Sequence, residues 1–188
     1  MRRFVTVPAA LAVGMTLAGC GSSGTGATTA GTGSPSQGAS STSSTASATP
    51  TPRTAAQVVR ALVARVNAAK LTVVYNASTD PNHLLGRPAG YTSKASWRDS
   101  RVKDPQDTEK GVVDLGGSVE LYDDPADARK RADYIHSAED SVGFLAHEYL
   151  WVSGGAVLRV SASLTPSQAK QYVLALAAVR GGTPVAVK

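Results

Sequence analysis

This chain of 188 residues is poor in several residue types: one cysteine, three histidines, two tryptophans, two phenylalanines and two methionines. A lone cysteine excludes an intramolecular disulfide, so any folded part is held together by its core alone. His83, His136 and His147 stand far apart. None shows the tight H-x-x-x-H spacing that builds metal sites, and the sequence predicts neither a metal nor another cofactor. There is no G-x-S-x-G elbow and no glycine-rich phosphate cradle. Asp80, His83 and Asp99 could be combined with a serine into an acid–base set. Serine is so abundant that chance alone supplies such a set, so no catalytic residue is assigned. Aromatics make up 5% of the residues, no basic run exists, and the net charge is only +5, which argues against nucleic acid as a partner. No apolar run reaches the roughly twenty residues that a spanning helix needs.

The N-terminus carries the strongest local signal. Arg2 and Arg3 precede an apolar stretch from Phe4 to Ala18, the length of a signal-peptide hydrophobic region, interrupted by Pro8 and Gly14. The stretch ends in Leu17-Ala18-Gly19-Cys20. These four residues resemble the lipobox of bacterial lipoproteins. That likeness implies a signal peptide over residues 1–19, cleavage before Cys20, and a lipid on its thiol that holds the chain to the outer face of the cell membrane. One buried acyl chain gives only reversible attachment, whereas two hold stably. Loss of Arg2 and Arg3 would leave a mild net charge of +3.

Residues 20–53 are almost entirely Gly, Ser, Thr, Ala and Pro after the cysteine. Such a segment has little to bury and cannot repay the entropy of ordering, so it is predicted to be a disordered linker. Its coil span would be roughly 30 Å, and its extended reach on the order of 100 Å.

From Thr54 the composition changes. Residues 54–182 suffice for a single domain, followed by a tail over 183–188. Thr54 and Gln57 form a capping box ahead of Val58, Val59, Leu62, Val63 and Val66 at helical spacing. Strands are predicted at 71–77, 91–97 and 117–122. In the second, Tyr91, Ser93, Ala95 and Trp97 share one side, and Thr92, Lys94 and Ser96 the other. Asp124-Pro125 opens a helix running to about Ser137, with Ala128, Ala132 and Ile135 inward. The pairs Asp127–Arg131 and Arg129–Asp133 are placed on its wet side. Gly154-Gly155 joins two alternating runs into a hairpin, with Trp151 opposite Leu158 and Leu150 opposite Arg159. Thr165-Pro166-Ser167-Gln168 caps a last helix that Gly181 ends. The order predicts an α+β fold: an antiparallel sheet of four to five strands with three helices packed mainly on one face.

The segment 78–101, "STDPNHLLGRPAGYTSKASWRDSR", is the densest in polar and aromatic residues. Ordered polar loops mounted on a sheet are where binding sites tend to lie. It supplies the candidate binding residues Asp80, Asn82, His83, Arg87, Tyr91, Lys94, Trp97 and Asp99. The plainer alternative is a connection shaped by Pro and Gly, with Leu84, Leu85 and Trp97 plugging the core.

The lipobox and linker, together with "TDPNHLLGRPAGYTSKASW", "GGSVELYDDPADARKRADYI" and "EYLWVSGGAVLRVSASLTPSQAKQY", resemble a class of predicted lipoproteins of high-GC Gram-positive bacteria. The likeness spans roughly residues 71–179 besides the N-terminus. No activity is assigned to that class, so it implies no catalytic residue. The expectation is a membrane-anchored extracytoplasmic module that binds a small ligand or an envelope protein. One alternative is a cell-envelope hydrolase, which would need His83 beside a carboxylate and a hydroxyl in a concave pocket. Another is a structural or accessory subunit of an envelope complex, for which an exposed apolar patch at Leu150, Val152 and Val157 would speak.

Overall fold

The computed structural model describes residues 53–142 and 148–188, all within one unit of the chain. The expected signal peptide, Cys20, the expected linker up to residue 52 and His147 lie outside them. Among the described residues, three helices and six strands follow in the order α1 (Ala55–Val63), β1 (Ala69–Val74), β2 (Ser93–Asp99), β3 (Gly116–Leu121), α2 (Pro125–Val142), β4 (Tyr149–Ser153), β5 (Ala156–Val160), α3 (Pro166–Arg180) and β6 (Val185–Ala186). A short 3₁₀ turn, Val113–Leu115, leads into β3. The strands form one antiparallel sheet in the order β1-β2-β3-β5-β4-β6. The fold is α+β, with one strand beyond the expected five. The extra strand, β6, comes from the tail, where Val185 and Ala186 pair with Val152 and Trp151.

Both capping boxes form. Thr54 Oγ1 accepts from the Gln57 amide while Gln57 Oε1 accepts from that of Thr54, and Thr165 and Gln168 repeat the arrangement. The hairpin register is the one expected, Trp151 against Leu158 and Leu150 against Arg159. Of its two glycines only Gly154 lies in the left-handed region, with φ 53°. Gly155 is needed for space instead: a Cβ there would sit 2.3 Å from the Tyr122 carbonyl oxygen.

The two faces of the sheet differ. One carries Ala95, Trp97, Val119, Leu158 and Val160 against Val58, Val59 and Leu62 of α1 and Tyr172 and Leu176 of α3. Two helices side by side, each about 10 Å wide, cover most of six strands spaced about 4.8 Å apart. Among the described residues the other face receives only α2, whose Ala128, Ala132 and Ile135 pack on Leu150 and Val157 of the β4–β5 hairpin. This buries Leu150 and Val157 and half-buries Val152. The apolar patch that would have marked an accessory subunit is therefore covered by the molecule itself. One helix cannot reach across to β1–β3, and there the second face is roofed by loops.

Candidate functional site

The second-face side chains of β2, β3 and β5 are Lys94 and Ser96, Ser118 and Glu120, and Val157 and Arg159. The register sets Lys94 beside Glu120, and Ser96 beside Ser118 beside Arg159. Two rows of polar residues thus lie on a face where burial would ordinarily select apolar ones. Glu120 is their centre. Its carboxylate is fully buried and faces Lys94 Nζ at 3.4 Å, Arg131 Nε at 3.2 Å and Arg159 Nη1 at 3.7 Å, while Tyr122 donates its hydroxyl to Oε2 at 3.3 Å. Burial alone would raise the Glu120 carboxyl. The charges of Arg159, Lys94 and Arg131 outweigh it and hold the group below its ordinary value. Burial pulls the Lys94 ammonium down despite Glu120, and it also sits 5.0 Å from the Tyr75 ring centre and 5.4 Å from that of Tyr91. Arg159 is clamped by Glu148, Nε to Oε1 at 2.5 Å and Nη2 to Oε2 at 2.9 Å.

The Asp80 loop closes this cluster from above. Asp80 is buried and takes hydrogen bonds from the amides of Leu84 (2.9 Å) and Leu85 (3.1 Å) and from the Tyr91 hydroxyl, with Lys94 Nζ 3.8 Å away. Burial opposes ionisation here, but the Tyr91, Leu84 and Leu85 hydrogen bonds and the Lys94 charge hold the carboxyl below its usual range. The hydrogen-bonding network orients the Asn82 amide with its oxygen toward Lys94 Nζ (2.9 Å), Arg131 Nη2 (3.1 Å) and the Tyr91 hydroxyl (3.2 Å). Tyr91 meets Tyr122 edge to face, with ring centres 5.9 Å apart.

Beside the cluster opens a cleft of about 1090 Å³. Lys94, Ser118 and Arg159 lie at its floor, Arg131, Ile135 and Glu139 of α2 form one wall, and Tyr75 with the loop Asp107–Asp114 forms the other. The Tyr75 hydroxyl donates to the Gly111 carbonyl at 2.9 Å, fixing that loop. Ser118, small and buried, gives the cleft depth, and its hydroxyl has no hydrogen-bond partner among the described residues. Among those residues no group of three or more His, Cys, Asp or Glu side chains is placed to hold a metal ion.

The eight expected binding residues divide three ways. Asp80, Asn82, Tyr91 and Lys94 converge on the cluster. Tyr91 does so by leaving the side it was expected to share with Ala95 and Trp97, because β2 begins only at Ser93. Trp97 and Asp99 belong to the opposite face. Trp97 is fully buried against Tyr172, and Asp99 receives the Tyr172 hydroxyl at 2.6 Å and Arg101 Nη2 at 2.6 Å. Both hold α3 to the sheet and are remote from the cleft. His83 and Arg87 are exposed on the loop and do not line it; His83 has no side-chain hydrogen bond among the described residues, so the acid–base set that a hydrolase would need does not assemble around it there. The wet-side pairing on α2 also changes. Arg129 bonds Asp133 as expected, but Asp127 takes Lys130, and Arg131 turns inward to Glu120.

Glu120, Arg131, Glu148, Arg159, Ser118 and Tyr75 were not among the binding residues expected from the sequence. A signal existed: Lys94, Glu120 and Arg159 each occupy the side of a strand opposite its core residues, a coincidence visible once the strands are laid in register. Comparison with protein-family models, with curated proteins and with solved structures finds no match.

Proposed function

We propose that this chain is an extracytoplasmic lipoprotein, anchored through a lipid on Cys20, whose folded part is a binding module with the second-face cleft as its site. The single observation that supports the site is the ionic cluster around Glu120. Burying charged groups costs several kcal/mol each, and apolar side chains of similar volume would hold the sheet as well or better. A buried ionic network that opens onto a roomy cleft is a feature better suited to ligand recognition than to holding the fold together. The binding surface is accordingly the cleft floor and walls rather than the exposed part of the Asp80–Asp99 loop.

Ala138→Trp tests the site. Ala138 is exposed and lines the cleft, so an indole there fills the space without entering the core. Small polar compounds that bind the full chain in a ligand-observed NMR screen should lose binding to this variant while Tm stays within about 2 °C. Compounds that bind the variant unchanged place the site elsewhere. The anchor is tested separately by the intact mass of the membrane-extracted chain, which should begin at Cys20 and carry acyl mass.

A further inference from the structure

Which charge the cleft receives follows from counting partners at its floor. Lys94, Arg131 and Arg159 are already matched by Asp80, Glu120 and Glu148. An anion entering here would have to displace a carboxylate that hydrogen bonds already hold. A fourth carboxylate is left over. Glu139 lines the cleft from α2, is 8% exposed, and makes no salt bridge among the described residues; the Arg159 charge reaches it, but that guanidinium is held by Glu148, whose backbone amide bonds Glu139. The Ser118 hydroxyl, fully buried and without a partner among the described residues, lines the same cleft one strand from Arg159. The opposite wall carries Asp107, Glu109 and Asp114 against Lys110, a balance that draws cations in.

Resting on the reading of the cleft as a binding site, we infer that it takes a small ligand bearing a basic amino group, which ion-pairs with Glu139 and hydrogen-bonds with Ser118, while the body of the ligand lies against Ile135 and Tyr75. The charged groups facing Glu139 among the described residues are Glu148, Arg159 and Asp140, the last paired with His136 on the same helix. Burial, then the Glu148 charge, pushes the empty Glu139 carboxyl up to about 7. The bound amine favours the ionised form, so binding strengthens as pH rises through that value. One proton is involved, and the affinity gain between pH 6 and pH 8 is about tenfold.

The test uses the full chain and three probes that share a ring and differ in head group: 2-phenylethylamine, phenylacetate and 2-phenylethanol. Each is titrated to about 50 mM, above the millimolar Kd expected for fragments of this size, and followed through the amides of Ser118, Ile135 and Arg159. The amine should bind about tenfold tighter than the acid or the alcohol near pH 8 and lose that advantage near pH 6. Glu139→Gln should abolish both the preference and its pH dependence. In the unaltered chain the Glu139 carboxyl carbon should titrate near 7 when free and lower with the amine bound, a readout that needs no variant. If phenylacetate binds as tightly as the amine, or the amine's affinity is flat with pH, the amine assignment is overturned and the cleft stands as a site for another chemistry. If no probe shifts any of these amides, the amine assignment is likewise overturned, and the Ala138→Trp comparison decides separately whether the cleft binds anything.

Discussion

Glu120→Gln isolates what the buried cluster costs when one charge is removed at constant shape. Lys94 keeps Asp80 at 3.8 Å and Arg159 keeps its two bonds to Glu148, but Arg131 loses the only carboxylate paired with it among the described residues and retains Asn82 and the Tyr134 ring at 5.6 Å. Removing one partner from a buried ion pair costs about 3–5 kcal/mol, chiefly through the cation left behind. With two of three cations still partnered, the expected loss is about 3 kcal/mol, a fall in Tm of roughly 10 °C for a domain of this size. Urea unfolding of the full chain, followed by circular dichroism, should show a lower midpoint with an unchanged m-value. The loss should persist in about 1 M NaCl, since salt screens exposed pairs and not desolvated ones. Replacing Glu120 and Arg131 together by leucine should recover most of it. A loss below about 0.5 kcal/mol, or one that salt removes, is the behaviour of a surface pair and would refute the burial on which the site rests.

Other outcomes follow from the same geometry. Gly117→Ala would place a Cβ 2.3 Å from Trp97 Cζ2 and 2.4 Å from the Arg159 carbonyl oxygen, so it should cost about 2 kcal/mol or more in chemical unfolding. Tyr172→Phe removes the hydroxyl that bonds Asp99 at 2.6 Å across the first face; about 1–2 kcal/mol should be lost, with binding in the cleft untouched. Asp80 and Asp99 have carboxyls held below their unfolded values, so their contribution is present above about pH 4 and lost as pH falls through the folded values. Glu139 has the opposite sign. Its carboxyl is raised to about 7, so its contribution is complete below its unfolded value of 4.5 and is lost as pH rises toward 7. Stability should therefore peak near pH 5, and Glu139→Gln should raise Tm at pH 8 and leave it unchanged at pH 5; equal effects at both pH values would contradict its burial.

The first face was legible because it is an apolar pattern. Val58, Val59 and Leu62 on one helix, Ala169, Tyr172 and Leu176 on another, and the Trp151–Leu158 register each carry the period of their element. Glycine pairs and capping boxes mark where those elements stop. The second face was not legible in the same way, since a polar residue on a strand reads by default as solvent-facing. Lys94, Glu120 and Arg159 are each unremarkable alone, and only the sheet order β2-β3-β5, which skips β4, sets them side by side. Arg131 was misread for a related reason: helical spacing offers Asp127 as its partner, and nothing local reveals a buried carboxylate eleven residues upstream. The segment 78–101 supplies four side chains of the cluster, Asp80, Asn82, Tyr91 and Lys94. Its period-2 alternation then extended one face too far, grouping Tyr91 with Trp97 although they end in separate cores.

The cleft itself follows from a mismatch of widths. A sheet of six strands spans about 24 Å, which two parallel helices cover and one does not. On the second face α2 takes β4 and β5, leaving β2 and β3 to loops. Loops bring backbone amides and polar side chains rather than a continuous apolar stripe, so the strands beneath them can be polar without being exposed: Asp80 and Asn82 descend from the loop to meet Lys94, and Tyr75 reaches across to hold Gly111. Small residues at Ser96 and Ser118, in the row that ends at Arg159, keep that region from filling. Enlarging Ser118 to Val should then close the floor and expel a bound amine with little loss of stability, because it trades an unpartnered buried hydroxyl for two methyl groups that fill open space. Serine there is a stability cost that the fold alone does not explain. A Ser118→Val chain less stable by more than about 2 kcal/mol would show the hydroxyl to be holding the sheet together, and would remove the reason for regarding Ser118 as a contact for the amine.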